Sequence, residues 1–281
     1  MSRMRLFILT LLAMTAFAGN SLLCRLALKH TGIDAASFTS IRLISGAVAL
    51  WLIVRLRGGK YGTAGSWLSA LALFAYAAGF SFAYISLPAA TGALLLFGAV
   101  QATMICYGLW TGERLSRRQS AGLICALGGL ASLLSPGLSA PPLPASMLMI
   151  IAGIAWGIYS LRAKNAGDPL MATTGNFCRA LFFTTVLSLT LLPRVSLDSS
   201  GIGAAIISGA LASGVGYAIW YTALRGLNAT RAATVQLSVP VIASVGGLVF
   251  LDEPLTLRLL FAGIAILGGI ALVILDKQRV S

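Results

Sequence analysis

The chain of 281 residues is 58% hydrophobic and only 10% charged, with a mean hydropathy of +0.92 and a formal charge of +13. A soluble domain carries about 25% charged residues, so an ordinary soluble globular protein is excluded, and the same apolar content excludes a disordered chain. The apolar segments are long continuous runs and not the short alternating stretches of a membrane barrel, which leaves an all-α membrane protein.

Ten spans are predicted, at residues 6–28, 35–54, 64–86, 91–111, 117–135, 145–163, 170–192, 201–223, 229–250 and 256–275. The first follows Arg3 and Arg5 and carries Asn20, with the single histidine, His30, at its outer end as an interfacial residue. Met1 to Ala18 imitates a signal peptide ending in Ala16-Phe17-Ala18. Its loss would leave nine spans and break the repeat described below, so it is expected to be retained. The second span places Arg42 two turns inside, with Thr39 on the same helical face. Tyr76 and Phe80 lie four apart in the third span, and Gln101 lies in the fourth. The fifth has small residues at four-residue spacing, Ala121, Cys125 and Gly129, matched by Ala265 and Gly269 in the tenth. Such faces permit close helix contact, either within the chain or in a homodimer through helices 5 and 10.

Trp156 and Tyr159 fall in the sixth span, Asn176 and Arg179 in the seventh, and Tyr217, Trp220 and Tyr221 in the eighth. The ninth contains Gln236 and Pro240; a mid-helix proline removes a hydrogen bond and makes Pro240 the expected hinge. Trp51, Trp67 and Trp110 sit near span ends, as an interfacial belt would. Cys24, Cys106, Cys125 and Cys178 all lie within spans without metal-ligand spacing and are read as small apolar packing residues.

Fourteen of the 20 basic residues fall on the side of the two termini. Four (Arg25, Lys29, Arg194, Arg258) fall on the other side, and Arg42 and Arg179 lie inside spans. The positive-inside rule then puts both termini in the cytoplasm. No basic cluster interleaved with aromatics suggests nucleic acid.

The two halves of the chain repeat. A shift of 140 residues places Leu87 on Leu227, Glu113 on Glu253, Arg118 on Arg258 and Leu127-Gly128-Gly129 on Leu267-Gly268-Gly269. A shift of 137 places Arg25 on Arg162 and Arg42 on Arg179. Five spans per half, an odd number, would insert the second half inverted relative to the first, which is a structural basis for alternating access around a midplane site.

Phe17-Ala18-Gly19-Asn20-Ser21, Arg42 and Gly112-Glu113-Arg114-Leu115-Ser116, with Trp156-Gly157, Arg179, Pro240 and Asp252-Glu253-Pro254-Leu255 in the second half, resemble the EamA-type drug/metabolite transporter family. The resemblance implies ten helices in two EamA-like repeats, 1–137 and 138–281, as a 5+5 inverted-topology repeat. It also implies a central cavity lined by spans 1–4 and 6–9, and spans 5 and 10 packed to one side. Two departures stand out: Ala18 replaces a usual tryptophan, and Val100 stands where the second half has Pro240.

The acidic residues Asp34, Glu113, Asp168, Asp198, Asp252, Glu253 and Asp276 lie at span ends or in loops. The lack of a carboxylate inside a span speaks against exchange of protons for cationic drugs and against an intramembrane hydrolase. Glu113 and Glu253 read as helix-start residues favoured by the dipole, with a gate-closing ion pair to an arginine as the alternative. Arg42 and Arg179 read either as carboxylate-binding groups, one toward each mouth of the cavity, or as snorkelling, carbonyl-bound structural residues. The cavity candidates are Asn20, Arg42, Tyr76, Phe80, Gln101, Trp156, Tyr159, Asn176, Arg179, Tyr217, Trp220 and Gln236. No catalytic residue, metal or cofactor is expected. The expected activity is export of a small amphipathic metabolite such as an amino acid, from a bacterial inner membrane. Multidrug, nucleotide or sugar export is the alternative, and an intramembrane enzyme a more distant one.

Overall fold

A computed structural model describes residues 2–58, 64–112, 114–137, 140–163, 167–227 and 229–280, without the side chains of residues 229, 230 and 276–280. Glu113 and the Asp276 side chain therefore lie outside the described residues. The helices are α1 (Arg3–His30), α2 (Ala35–Leu56), α3 (Trp67–Tyr84), α4 (Ala89–Trp110), α5 (Arg117–Leu134), α6 (Leu143–Ala163) and α7 (Pro169–Thr190). They continue with α8 (Ser199–Ile207), α9 (Gly216–Leu224), α10 (Ala229–Gln236), α11 (Ser238–Phe250) and α12 (Leu257–Val280). A π-helical segment, Ser208–Val215, joins α8 to α9.

Polar residues in the short connections start these helices by satisfying their first, otherwise orphaned N–H groups. Asp34, Asp168 and Asp198 accept from the first turns of α2, α7 and α8, and Ser66 accepts from Ser69 at the start of α3. Ser116 and Gln119 close a reciprocal capping box on α5. Three of the seven acidic residues are thus used locally, as caps.

Eight stretches of the described residues are long and apolar enough to cross a membrane, with Ser199–Leu224 and Arg231–Phe250 each counting as one. That is two fewer than the ten expected. α5 falls short because it opens on Arg117-Arg118-Gln119, and α7 because it carries Asn176, Arg179 and several threonines. Large apolar side chains cover the outside of the bundle, among them Phe7, Ile124, Phe250, Phe261 and Ile264. Trp51, Trp67 and Trp110 are exposed as well.

α1 packs on α9 and α11, while α6 packs on α3 and α4; α2 faces α7 and the π segment. α5 lies against α12, where backbones approach so closely that a methyl on Gly122 would meet the Gly269 carbonyl at 2.6 Å. The small-residue faces of spans 5 and 10 therefore meet each other within the chain. The cysteine expectation needs correction: Cys24 is buried and packs, whereas Cys106, Cys125 and Cys178 lie on exposed helix faces. Periodicity placed them in spans but could not say which side of each helix turns outward.

The bundle has two distinct ends. His30, Tyr84, Ala89 and Glu253 mark one, and Arg57, Ser66, Arg162 and Arg225 mark the other.

Candidate substrate cavity

An aromatic column occupies the interior. α3 supplies Tyr76, Phe80 and Tyr84 at four-residue spacing, hence on one face. Tyr76 and Phe80 have ring centroids 5.4 Å apart, and Phe80 and Tyr84 meet edge-to-face at 4.7 Å. From α6, Trp156 contacts Tyr76 at 4.8 Å and stacks on Tyr159 at 5.2 Å. Its other neighbour is Tyr217 of α9, stacked at 5.3 Å and 19°. Phe17 of α1 touches both Tyr217 at 5.7 Å and Trp220 at 6.0 Å, which brings Trp220 to the edge of the cluster. A hydroxyl chain closes the far side: Tyr159 donates to Thr173 at 3.0 Å, and Thr173 and Tyr221 lie 2.8 Å apart. Trp156 is only half-buried amid fully buried tyrosines.

Arg42 stands over this column. Its guanidinium carbon lies 4.8 Å from the Phe80 ring centre and 5.3 Å from that of Tyr76, and Nη2 donates to the Tyr76 hydroxyl at 2.9 Å. The side chain is 2% exposed, yet Nε and Nη1 have no hydrogen-bond partner among the described residues. An unsatisfied buried donor costs about 1–3 kcal/mol. Cation–π contact offsets part of that but supplies no acceptor.

Asn20 binds the π-helical segment: it accepts from Ser208, and its Nδ2 donates to Ser213 at 3.4 Å. Across the same segment, Gly209 presses on the Arg42 carbonyl and Ser45, a contact closed to any side chain. The π turn was not anticipated from sequence; the Ser208-Gly209 and Ser213-Gly214 pairs are the signal that could have suggested a weakened helix.

The remaining candidates lie elsewhere. Asn176 accepts from the Ser66 N–H at 2.8 Å, and Arg179 Nη1 donates to the Ala64 and Gly175 carbonyls at 2.7 and 3.0 Å. Both clamp the segment leading into α3, where Gly65 has a φ of +92° and Asn176 Oδ1 fills the place of a side chain. Arg42 and Arg179, equivalent in the repeat, thus have different partners: rings for the first, carbonyls for the second. Gln101 is buried in α4 with Nε2 unpartnered among the described residues. Gln236 ends α10; Pro240 lacks the N–H that would bond its carbonyl, and the helix breaks between them.

The two ends of the bundle differ in closure. At one, Arg25 Nε donates to Glu253 Oε1 at 2.8 Å, and Arg25 Nη1 donates to the Tyr84 and Ile85 carbonyls, each at 2.9 Å. Glu253 Oε2 accepts from the Ala89 N–H at 2.6 Å, and Lys29 lies 3.8 Å from Oε1. Beside this knot, the Asp34 N–H donates to the Ser196 carbonyl at 3.0 Å, and the Asp34 Oδ2 accepts from the Ser196 N–H at 2.9 Å. The helix-start reading of Glu253 is corrected here. The carboxylate does cap a helix, but it caps α4 rather than the α12 that follows it in sequence, because the tertiary fold carries Ala89 to it. At the other end, Arg162 Nε donates to the Ser69 hydroxyl at 3.0 Å and Nη2 to the Ser66 hydroxyl at 3.3 Å. There a cleft of about 540 Å³ opens between α2, α7 and α9, lined by Val54, Arg57, Asp168, Leu170, Tyr221 and Arg225 among others.

Comparison with known proteins gives a consistent picture. A family model described as the EamA-like transporter family matches residues 143–275. The chain is 54% identical to an uncharacterized protein of Pseudomonas aeruginosa, over 97% of this chain and 96% of the other. It is 26% identical to a probable terminal-alkyne amino-acid exporter of Streptantibioticus cattleyicolor, over 66% of this chain and 64% of that one. It is 32% identical to the threonine/homoserine exporter of Escherichia coli, over 48% and 47% of the two chains. A solved crystal structure superposes over 100% of both chains with a TM-score of 0.69 at 17% identity, a likeness of fold.

Proposed function

Because the chain belongs to the EamA-like transporter family, a family of multi-pass membrane transporters and not of enzymes, we propose that it exports small amphipathic metabolites such as amino acids by alternating access. One observation supports this reading: among the described residues, the two ends of the bundle differ in how they are closed. The Arg25–Glu253 knot and the Asp34–Ser196 clasp close one end, while the opposite cleft reaches Tyr221, whose hydroxyl chain joins the aromatic column. Alternating access calls for such a difference between the two ends.

In this reading residues 1–137 and 138–281 are five-helix repeats in inverted orientation, ten spans in all. The matched packing of α1 on α9 and α11 with that of α6 on α3 and α4 supports it. The cleft end, with Arg55, Arg57, Arg162 and Arg225, is the cytoplasmic one in a bacterial inner membrane, and the termini share that side. Asn20, Tyr76, Phe80, Trp156, Tyr159, Tyr217 and Trp220 form the cavity wall, and Pro240 is the hinge. No dimer through α5 and α12 is proposed, since their small-residue faces are occupied by each other.

The test is flux into proteoliposomes across a panel of labelled amino acids, with and without a pH gradient and with or without internal substrate. Saturable uptake of one class supports the reading. Absence of flux for every compound, in protein shown to be folded, overturns it.

A further inference from the structure

Among the described residues, Arg25 and Arg42 are the arginines more than nine-tenths buried. Arg25 has its anion, Glu253, and two carbonyls besides. Arg42 has one tyrosine hydroxyl and two ring faces. A guanidinium has five N–H groups and stays protonated; those on Nε and Nη1 have no acceptor among the described residues. The only ion pairs among the described residues are those of Glu253 with Arg25 and Lys29, so no carboxylate of the described residues pairs with Arg42. The column itself is aromatic, and the Tyr159, Thr173 and Tyr221 hydroxyls at its far side are engaged with one another.

A site with one fixed positive charge, open donors and apolar walls is complementary to a carboxylate on an apolar body. The carboxylate of a substrate would complete the Arg42 donor set, and its side chain would lie on the Tyr76, Trp156 and Tyr217 rings. An α-ammonium would find no counter-charge among the described residues. Arg42 is seven residues from the start of α2, so it lies ~10 Å below the sealed end, on the far side of the column from Tyr221 and the cleft.

We propose that Arg42 is the carboxylate anchor of the transport site, and that the substrate class is monocarboxylates with an apolar or aromatic body in which the α-ammonium is dispensable. This rests on the transporter reading above but makes a separate claim, about which charge is read.

The experiment uses the full-length protein in detergent and in proteoliposomes, with a charge series on one aromatic body: phenylalanine, N-acetylphenylalanine, 3-phenylpropionate, phenylalaninamide and phenethylamine. Binding is read by quenching of tryptophan fluorescence, with Trp156 in the wall, and by thermal shift; transport is read by competition. The three carboxylates are expected to bind within a few-fold of one another, with the amide and the amine at least ~10-fold weaker, the scale of a lost charge-assisted contact. Arg42→Gln is expected to erase that difference and Arg42→Lys to retain part of it. The series on the unaltered protein carries the test even where a variant fails to fold. Equal or tighter binding of the amine, or loss of binding on N-acetylation, overturns the proposal while leaving the transporter reading intact. Carboxylate-selective binding with no flux of any compound overturns the transporter reading and leaves the anchor standing. No binding and no flux overturns both.

Discussion

Arg25 and Glu253 lie 228 residues apart in sequence and meet at 2.8 Å, almost fully buried. Between them they satisfy both sides of the α3–α4 turn: the arginine takes the last carbonyls of α3 and the glutamate takes the first N–H of α4. One ion pair therefore ties α1, the α3–α4 turn and the loop after α11 into a single closure. Each charge meets the helix terminus of opposite partial charge, which is the favourable orientation.

Removing one partner of a buried pair leaves the other charge uncompensated, at about 3–5 kcal/mol. Glu253→Gln and Arg25→Gln are each expected to lower the midpoint of thermal unfolding in detergent by several degrees. Combining them should cost less than the sum of the two. Strict additivity in that double-mutant cycle would show that the pair is not coupled.

Gly209 packs against the Arg42 carbonyl and Ser45, so an added methyl has nowhere to go. Gly209→Ala should destabilise by about 1–3 kcal/mol, the usual cost of overpacking. Gly203→Ala, in α8 with open space around it, should be neutral or slightly stabilising. Equal unfolding midpoints for the two variants would contradict the close α2–π-segment approach.

Pro240→Ala supplies an N–H for the Gln236 carbonyl and should join α10 to α11 as one helix. If Pro240 is the hinge of the proposed cycle, the variant gains thermal stability and loses turnover. Unchanged flux would make the break a static packing feature.

Arg179 holds the Ala64 and Gly175 backbone carbonyls. Arg179→Gln is expected to reduce stability while leaving the acid-over-amine preference of ligand binding unchanged, in contrast to Arg42→Gln. A shared loss of preference would restore the two-arginine reading.

The Asp34 carboxyl lies outside the spans. Burial pushes its pKa up, but bonds from Ser37, Ser196 and Ala36 outweigh burial and leave it below the usual carboxylate value. A depressed folded-state pKa means that the stabilisation is complete above the unfolded value, near 3.9, and is lost as pH falls through the folded value. Asp34→Ala should therefore cost about 1 kcal/mol at neutral pH, and the gap from the parent protein should close only below pH ~4. A gap that closes near pH 6 would implicate another group.

Much of the aromatic column was legible because it is local. The four-residue spacing of Tyr76 and Phe80 and the three-residue spacing of Trp156 and Tyr159 define helix faces, and those faces form the aromatic column. The roles of Asp34, Asp168 and Asp198 at helix starts follow equally from position. Composition and the charge-poor runs determined that the chain is a helical membrane protein, because long apolar segments leave the chain no soluble alternative.

What sequence could not decide is which partner each polar group meets. Arg42 and Arg179 hold equivalent places in the repeat, and their neighbours differ because α7 lies beside the turn into α3 while α2 lies beside the column. Glu253 looked like the start of its own helix and caps α4 instead. Residue spacing specifies which side chains share a helix face. The contacts of a buried charge depend on what packing brings opposite that face, and only the tertiary structure determines that.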